Sequence, residues 1–176
     1  NIEDYYVTPW DLGLGKLVKF DHDFVGRAAL EKRAEEANHR QKVTLVWNNE
    51  DILKIYGSLL EPGLPYKFME LPKASYGFQQ CDEVRNGNGD IVGLSNFVGY
   101  TVNEAKFLSV AIVDAAHAEP GTEVTVTWGE PDGGSRKPQV EKHRQLSVRA
   151  TVAPAPYARQ VQTLKNSGIK KEDLVA

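Results

Sequence analysis

The second half of the chain is a series of short β-type segments separated by turn signals, and this pattern constrains the fold more than any other feature. Residues 123–128 read EVTVTW, in which polar and apolar residues alternate with the period of two that a half-buried strand requires. An Asn-Gly turn within residues 86–90 separates two further β-type segments and is typical of a hairpin. Together with residues 106–117 and 144–154, these segments predict a small antiparallel barrel or sandwich rather than a parallel sheet.

The beginning of the chain carries both strand and helix signals. Residues 16–20, KLVKF, alternate as a short strand would. Asp23 is in a suitable position to cap a helix over residues 24–37, FVGRAALEKRAEEA, because its carboxylate can accept hydrogen bonds from the first free backbone N–H groups. The sequence therefore predicts a strand and a helix ahead of the β-rich part.

A second strand and helix follow directly. Residues 42–48 are rich in β-branched side chains and predict a strand. Asn49 is predicted to cap the helix over residues 50–61, in which apolar residues recur at helical spacing. Residues 62–78 contain several prolines and aromatic residues with little periodicity, which indicates a long ordered loop. The predicted fold class is mainly β with flanking helices (α+β).

Composition excludes several classes of partner. The 176 residues are 41% hydrophobic and 26% charged, typical of one globular domain, and the formal net charge of −3 is too small to indicate nucleic acid as the main partner. No apolar run approaches the roughly 20 residues that span a bilayer, so no membrane partner is expected. Cys81 is the only cysteine, which rules out an internal disulfide and a cysteine zinc site and agrees with a cytoplasmic protein.

The chain starts at Asn1 without a methionine, and its first element starts abruptly. We expect it to be a fragment of a longer polypeptide.

Three stretches, in this order, carry a resemblance to a known family. Residues 8–32 contain a Thr-Pro, a Gly-Leu-Gly turn and an Asp-Phe-Val-Gly-Arg segment; residues 89–126 contain a Val-Gly strand, a long apolar strand and Pro-Gly-Thr; residues 148–159 end in Pro-Tyr-Ala-Arg. This pattern resembles the C-terminal part of the T-protein of the glycine cleavage system, the aminomethyltransferase superfamily. Residues 94–106 and 127–143 depart from the T-protein and look more like the tetrahydrofolate-dependent aromatic O-demethylases of the vanillate and syringate type.

The resemblance implies a domain organisation. Residues 1–39 would be the end of an upstream folate-binding domain with its linking helix, so that an edge strand and a helix precede a C-terminal antiparallel β-barrel at residues 40–159. Residues 160–176 would be a polar tail. The implied partners are the N-terminal domains of the same polypeptide and a small-molecule methyl donor. Because the catalytic residues of the superfamily lie mostly in those N-terminal domains, we expect no catalytic residue here and an inactive isolated chain.

The resemblance also implies tetrahydrofolate as the cofactor. Tyr157 and Arg159, at the end of the last predicted strand, are the candidate cofactor-binding residues, because the planar guanidinium of arginine can pair with a carboxylate of the folate glutamate tail through two hydrogen bonds. The alternative is a surface arginine beside a half-buried tyrosine. A basic cluster could also attract a polyglutamated folate, although charges of this kind more often form solvated faces. Its members are Arg136, Lys137, Lys142, His143, Arg144 and Arg149.

The remaining candidate residues favour structural roles. His22 stands between two aspartates, but adjacent residues on a turn point in different directions, so no metal site is expected. His117 and His143 are interpreted as isolated. Trp47 and Trp128 are predicted to lie in the barrel core, and Trp10 to pack against another domain.

Three functional alternatives remain open at this point. They are a glycine cleavage aminomethyltransferase or dimethylsulfoniopropionate demethylase, a non-catalytic folate-binding protein on the same scaffold, and an unrelated β-barrel binding module.

Overall fold

The computed structural model describes residues 6–36, 38–72, 81–134, 140–159 and 162. These residues contain six strands: β1 (Gln41–Trp47), β2 (Cys81–Arg85), β3 (Ile91–Thr101), β4 (Lys106–Val113), β5 (Glu123–Trp128) and β6 (Leu146–Ala153). The strands form a closed antiparallel barrel in the order β1-β4-β3-β2-β5-β6, in which β6 pairs back with β1. Two helices, α1 (Arg27–Ala34) and α2 (Asn49–Gly57), lie outside the barrel strands. The predicted mainly β fold with an antiparallel barrel is confirmed.

The alternating strand residues fill the barrel interior. On β1, Val43, Leu45 and Trp47 are buried, and Trp128 of β5 meets Trp47 edge to face with ring centroids 5.8 Å apart. Edge-to-face contact is a favourable geometry for aromatic rings. The Trp47 Nε1–H donates to Ser109 Oγ over 2.9 Å, which satisfies its polar atom inside the core. The predicted core positions of Trp47 and Trp128 are confirmed.

Helix α2 is attached to β6 through its first turn. The predicted cap at Asn49 is wrong by one residue: Asn48 leaves β1 in an extended conformation, and its Oδ1 accepts hydrogen bonds from the Glu50 and Asp51 N–H groups. The buried Asp51 carboxylate accepts from the Arg149 backbone N–H at 3.0 Å and from Arg149 Nε at 2.8 Å. The Asp51–Arg149 pair therefore fixes the start of the helix against the barrel.

The predicted strand at residues 16–20 is wrong. Gly15–Leu17 form a 3-10 turn, and residues 18–20 continue without joining the barrel ladder. Residues 16–20 have no strand with which to pair, because the closed barrel has no edge strand with free hydrogen-bonding groups. The predicted start of the first helix is also wrong: Gly26 takes a left-handed φ of 90°, so α1 begins at Arg27 and Asp23 does not cap it.

The other strand predictions are close to the structure. The Asn-Gly hairpin is confirmed, since the Asn86 Oδ1 accepts from the Asn88 and Asp90 N–H groups between β2 and β3. The strand predicted at residues 106–117 ends at Val113 in the structure. The last three residues of that prediction, Ala115–His117, form a 3-10 turn instead. Residues 73–78 of the predicted loop and the polar tail from residue 163 onward lie outside the described residues. Within the described part of the chain, no helix has both the length and the apolar character to cross a membrane.

Candidate functional site

A groove runs between the N-terminal segment, the outer face of β1 and β4, and the residues that follow β6. Its volume is about 590 Å³, which falls within the usual size of small-molecule sites. We call it the Tyr157 groove. Its walls include Leu12, Leu14, Lys42, Thr44, Phe97, Leu108, Val110 and Tyr157. The walls are mostly apolar with a few polar groups, which is the usual composition of a site for an organic ligand.

A buried carboxylate fixes the N-terminal wall of the groove. Asp11 is only 4% exposed, and its Oδ2 accepts from the Thr8 N–H at 2.7 Å and from Arg40 Nη2 at 3.2 Å. Arg40, which directly precedes β1, also donates to the Tyr6 carbonyl at 3.1 Å. Burial alone would raise the pKa of Asp11, but the hydrogen bonds from Thr8 and Arg40 outweigh it and lower that pKa. Asp11 thus stays ionised and holds the segment to the barrel.

The Gly-Leu-Gly turn allows the same segment to fold back. The Trp10 ring stacks on His39 with centroids 5.0 Å apart. A Cβ at Gly15 would come within 2.5 Å of Trp10 Cδ1, so a side chain at this position would displace the tryptophan. The turn therefore places Leu12 and Leu14 beside the barrel. The predicted packing of Trp10 against another domain stays a prediction.

The two predicted cofactor-binding residues differ in their surroundings. Tyr157 is half-buried and lines the groove, whereas Arg159 lies two residues further along the chain and is exposed. Ligand binding by either residue stays a prediction. Lys42 lines the same groove as Tyr157 and is a cation that the sequence interpretation did not select.

A buried ionic cluster was missed by the sequence interpretation. His143 is not isolated: its Nε2 accepts from the Glu130 N–H at 2.9 Å, and its Nδ1 lies 2.8 Å from the Glu141 carbonyl. The fully buried Lys67 donates from Nζ to Glu130 Oε1 at 3.0 Å and sits 4.9 Å from the Trp128 ring centroid. These bonds assign the proton of a neutral His143 to Nδ1. No spacing signal marks the cluster, because Lys67 and Glu130 are 63 positions apart.

The predicted basic cluster is divided among several environments. His143 is buried in the ionic cluster, Arg149 is bound to Asp51, and Arg144 lies over the Tyr66 ring at 4.3 Å. Arg136 and Lys137 lie outside the described residues. These positions favour the structural interpretation of the charges. The His22 Nδ1 lies 2.9 Å from Asp21 Oδ1, and the His22 ring meets the Phe24 ring with centroids 5.4 Å apart. No group of three potential metal ligands occurs among the described residues.

Comparison with known proteins adds the relationship. No family model matches the chain. The chain is 47% identical over 163 residues to the syringate O-demethylase of Sphingobium sp., an alignment that covers 93% of this chain and 35% of that protein. It is 36% identical over 164 residues to the sesamin methylene transferase of Sinomonas sp., covering 88% of the chain and 34% of that protein. It is 33% identical over 119 residues to the aminomethyltransferase of Streptomyces coelicolor, covering 66% of the chain and 26% of that protein.

The chain belongs to the aminomethyltransferase superfamily. The resemblance inferred from the sequence is confirmed, including its inclination toward the O-demethylases, since the identity with the syringate enzyme exceeds that with the aminomethyltransferase. The chain spans about a third of the length of the syringate O-demethylase and of the sesamin methylene transferase.

Two of the three members of the ionic cluster, Glu130 and His143, belong to residues 127–143, a segment predicted from the sequence to depart from the T-protein pattern. Phe97 belongs to the other such segment, residues 94–106, and lines the Tyr157 groove. These two segments therefore contribute part of the buried cluster and one wall of the candidate site.

Proposed function

We propose that the protein containing this chain is a tetrahydrofolate-dependent O-demethylase that transfers a methyl group from a methoxylated aromatic acid to tetrahydrofolate. The observation that carries the proposal is the 47% identity with a syringate O-demethylase across 93% of the chain. The 33% identity with an aminomethyltransferase supports a second candidate, an aminomethyl transfer of the glycine cleavage type.

The Tyr157 groove suits a folate in size and chemistry. Tetrahydrofolate combines flat rings with a glutamate tail, and the groove combines apolar walls with Lys42 and Tyr157. Arg159 follows Tyr157 two residues further along the chain. Leu12 and Leu14 would cover the rings, while the cations would pair with the tail carboxylates. When bound, tetrahydrofolate supplies the nitrogen that accepts the one-carbon unit. The barrel residues would align the ligand, and alignment of two reactants can remove several kcal/mol from a barrier.

The domain organisation is part of the proposal. Residues 1–39 would be the end of the upstream folate-binding domain with its linking helix. Residues 40–159 would form the C-terminal barrel and one wall of the folate site, and residues 160–176 would be a polar tail. The N-terminal domains of the same polypeptide would supply the groups that protonate the leaving phenolate. The chain's share of about a third of its relatives' length supports this division.

The activity is tested on the full-length protein. With syringate or vanillate and tetrahydrofolate, we expect release of the corresponding phenol and formation of methyltetrahydrofolate, both measured by liquid chromatography. Residues 1–176 alone serve as the matched sample and should give no turnover. Turnover restricted to a lipoyl-bound aminomethyl donor would favour the aminomethyltransferase instead, and folate binding without transfer from either donor would favour a non-catalytic folate-binding protein.

The carboxylate contact is tested at Arg159. In the full-length protein, Arg159→Ala should raise the KM for tetrahydrofolate about tenfold with little change in kcat, because a hydrogen bond to a charged group contributes about 1.5–3 kcal/mol. Lys142→Ala, which removes an exposed cation outside the groove, is the control. An unchanged folate KM in Arg159→Ala would remove the assignment.

A further inference from the structure

Phe97 occupies an unusual position in β3. The pairing of β3 with β4 passes from Asn96 opposite Val110 to Gly99 opposite Leu108, so two residues of β3 face one residue of β4. This is a β-bulge, and bulges change the direction of the side chains that they carry. Phe97 lies in the bulge with a left-handed φ of 56°. For a bulky side chain this conformation is rare and persists only where the surrounding structure holds it.

The bulge places the Phe97 ring at the surface. The residue is 61% exposed, although phenylalanine is among the side chains most often buried. Its neighbour Val98 points into the barrel core, so the strand keeps its inward contact while presenting the ring of Phe97 outward. An extended strand would alternate these directions without requiring a left-handed residue.

Phe97 lines two grooves. One is the Tyr157 groove, and the other has a volume of about 850 Å³ and includes Cys81 and Glu130. We call the second the Glu130 groove. Leu12 also lines both, so Leu12 and Phe97 together form the boundary between them. A ligand in the Tyr157 groove would meet the Phe97 ring at this boundary.

We propose that Phe97 is a ligand-contact residue that stacks against a planar aromatic ring bound in the Tyr157 groove. The inference rests on the proposed function, in which both reactants contain such a ring: the folate, and the arene of the methyl donor. The bulge and the left-handed backbone of Phe97 set the direction of the side chain before the ligand arrives, which lowers the entropic cost of forming the contact. The contact requires the flat face of the side chain and not only its apolar volume.

Three variants of the full-length protein separate these requirements. Phe97→Ala removes the ring, Phe97→Leu keeps apolar volume without a flat face, and Phe97→Trp keeps a flat face. Leu60→Ala is the control, because Leu60 is 90% exposed and lines neither groove. The measurements are the Kd for tetrahydrofolate without donor, the KM for syringate, and the thermal unfolding midpoint.

We expect Phe97→Ala and Phe97→Leu to raise one of the two constants about fivefold to tenfold, the size of an aromatic stacking contact, while Phe97→Trp and Leu60→Ala leave it within twofold. A change confined to the folate Kd assigns the ring to the cofactor, and one confined to the syringate KM assigns it to the donor. The unfolding midpoint should stay nearly constant.

Two results would overturn the inference. If Phe97→Ala leaves both constants unchanged, Phe97 contacts no ligand ring, while the proposed function stands as long as the unmodified protein binds folate and demethylates syringate. If Phe97→Leu retains normal constants while Phe97→Ala lowers the unfolding midpoint, the residue is a packing contact with another part of the protein. If the unmodified protein binds neither ring compound, the proposed function and this inference fail together.

Discussion

Gly93→Ala should lower the free energy of unfolding of this chain by about 3 kcal/mol, because the barrel has no space for a single added methyl group at that position. A Cβ at residue 93 would collide with the Ile112 carbonyl oxygen and would lie 2.8 Å from Val113 Cα. Both obstacles are backbone atoms of β4, which is paired on its other side with β1. Neither strand can move away without breaking its own hydrogen bonds.

The matched control for Gly93 is Gly87 in the adjacent hairpin turn. A Cβ at Gly87 would meet no atom within 4 Å, and its φ is outside the left-handed region. Gly87→Ala should therefore change the unfolding free energy by less than about 0.5 kcal/mol. Urea denaturation of residues 1–176 followed by tryptophan fluorescence gives both values, since Trp47 and Trp128 lie in the core. Equal midpoints for the two variants would show that β3 and β4 separate more easily than the structure indicates.

Asp51→Asn should lower the unfolding free energy at neutral pH by about 2 kcal/mol, the size expected for hydrogen bonds to a charged group. The Asp51 carboxylate receives three hydrogen bonds from Arg149 and one of 2.7 Å from Lys54 Nζ. Glu50→Ala is the control, because Glu50 also pairs with Arg149 but its side chain is mostly exposed. An exposed pair contributes less than about 1 kcal/mol, so this variant should remain close to the unmodified chain.

The effect of Asp51 should also depend on pH. The hydrogen bonds from Arg149 hold the pKa of Asp51 well below its usual value of 3.8, against the opposing effect of burial. Above about pH 5 both the folded and the unfolded chain are ionised at Asp51, and the stabilisation is complete. As the pH falls below 3.8, the unfolded chain binds a proton that the folded chain does not, and the stabilisation is lost.

The test compares urea midpoints of the unmodified chain and Asp51→Asn at pH 7, 5 and 3. The difference between them should be the same at pH 7 and 5 and smaller at pH 3. The comparison cancels the titration of Asp11, whose pKa is also lowered and which both proteins contain. A difference that stays constant down to pH 3 would mean that the Asp51 charge does not carry the stabilisation.

The barrel could be predicted because its signals are local. The alternation in residues 123–128 follows from one face of β5 pointing into the core, and the Asn86 turn fixes its hairpin through its own side chain. The caps were less accurate: Asn48 and Asn49 are both suitable cap residues, and only the end of β1 decides between them. KLVKF at residues 16–20 has strand alternation but no partner strand, and pairing is a property of the whole fold.

The candidate site was only partly predictable. The position of Tyr157 at the end of the last strand predicts a site residue, and Tyr157 does line the groove. The other walls of the groove come from β1, β4 and the N-terminal segment, which are distant from Tyr157 in sequence. The bulge at Phe97 has no glycine to mark its left-handed residue. The Lys67–Glu130–His143 cluster joins two loops and the end of β5, and three charged or polar residues at such separations look like ordinary surface residues.

Closure of the barrel has a consequence for how such a domain diversifies. Each of the six described barrel strands has a hydrogen-bonded neighbour on both sides, so none of them is an edge strand that a foreign strand could extend along its length. Recognition of anything outside the barrel must then use side chains and connecting segments, which can be substituted while the ladder stays intact. A change of binding preference can accumulate on the outside, one residue at a time, over an interior that stays the same.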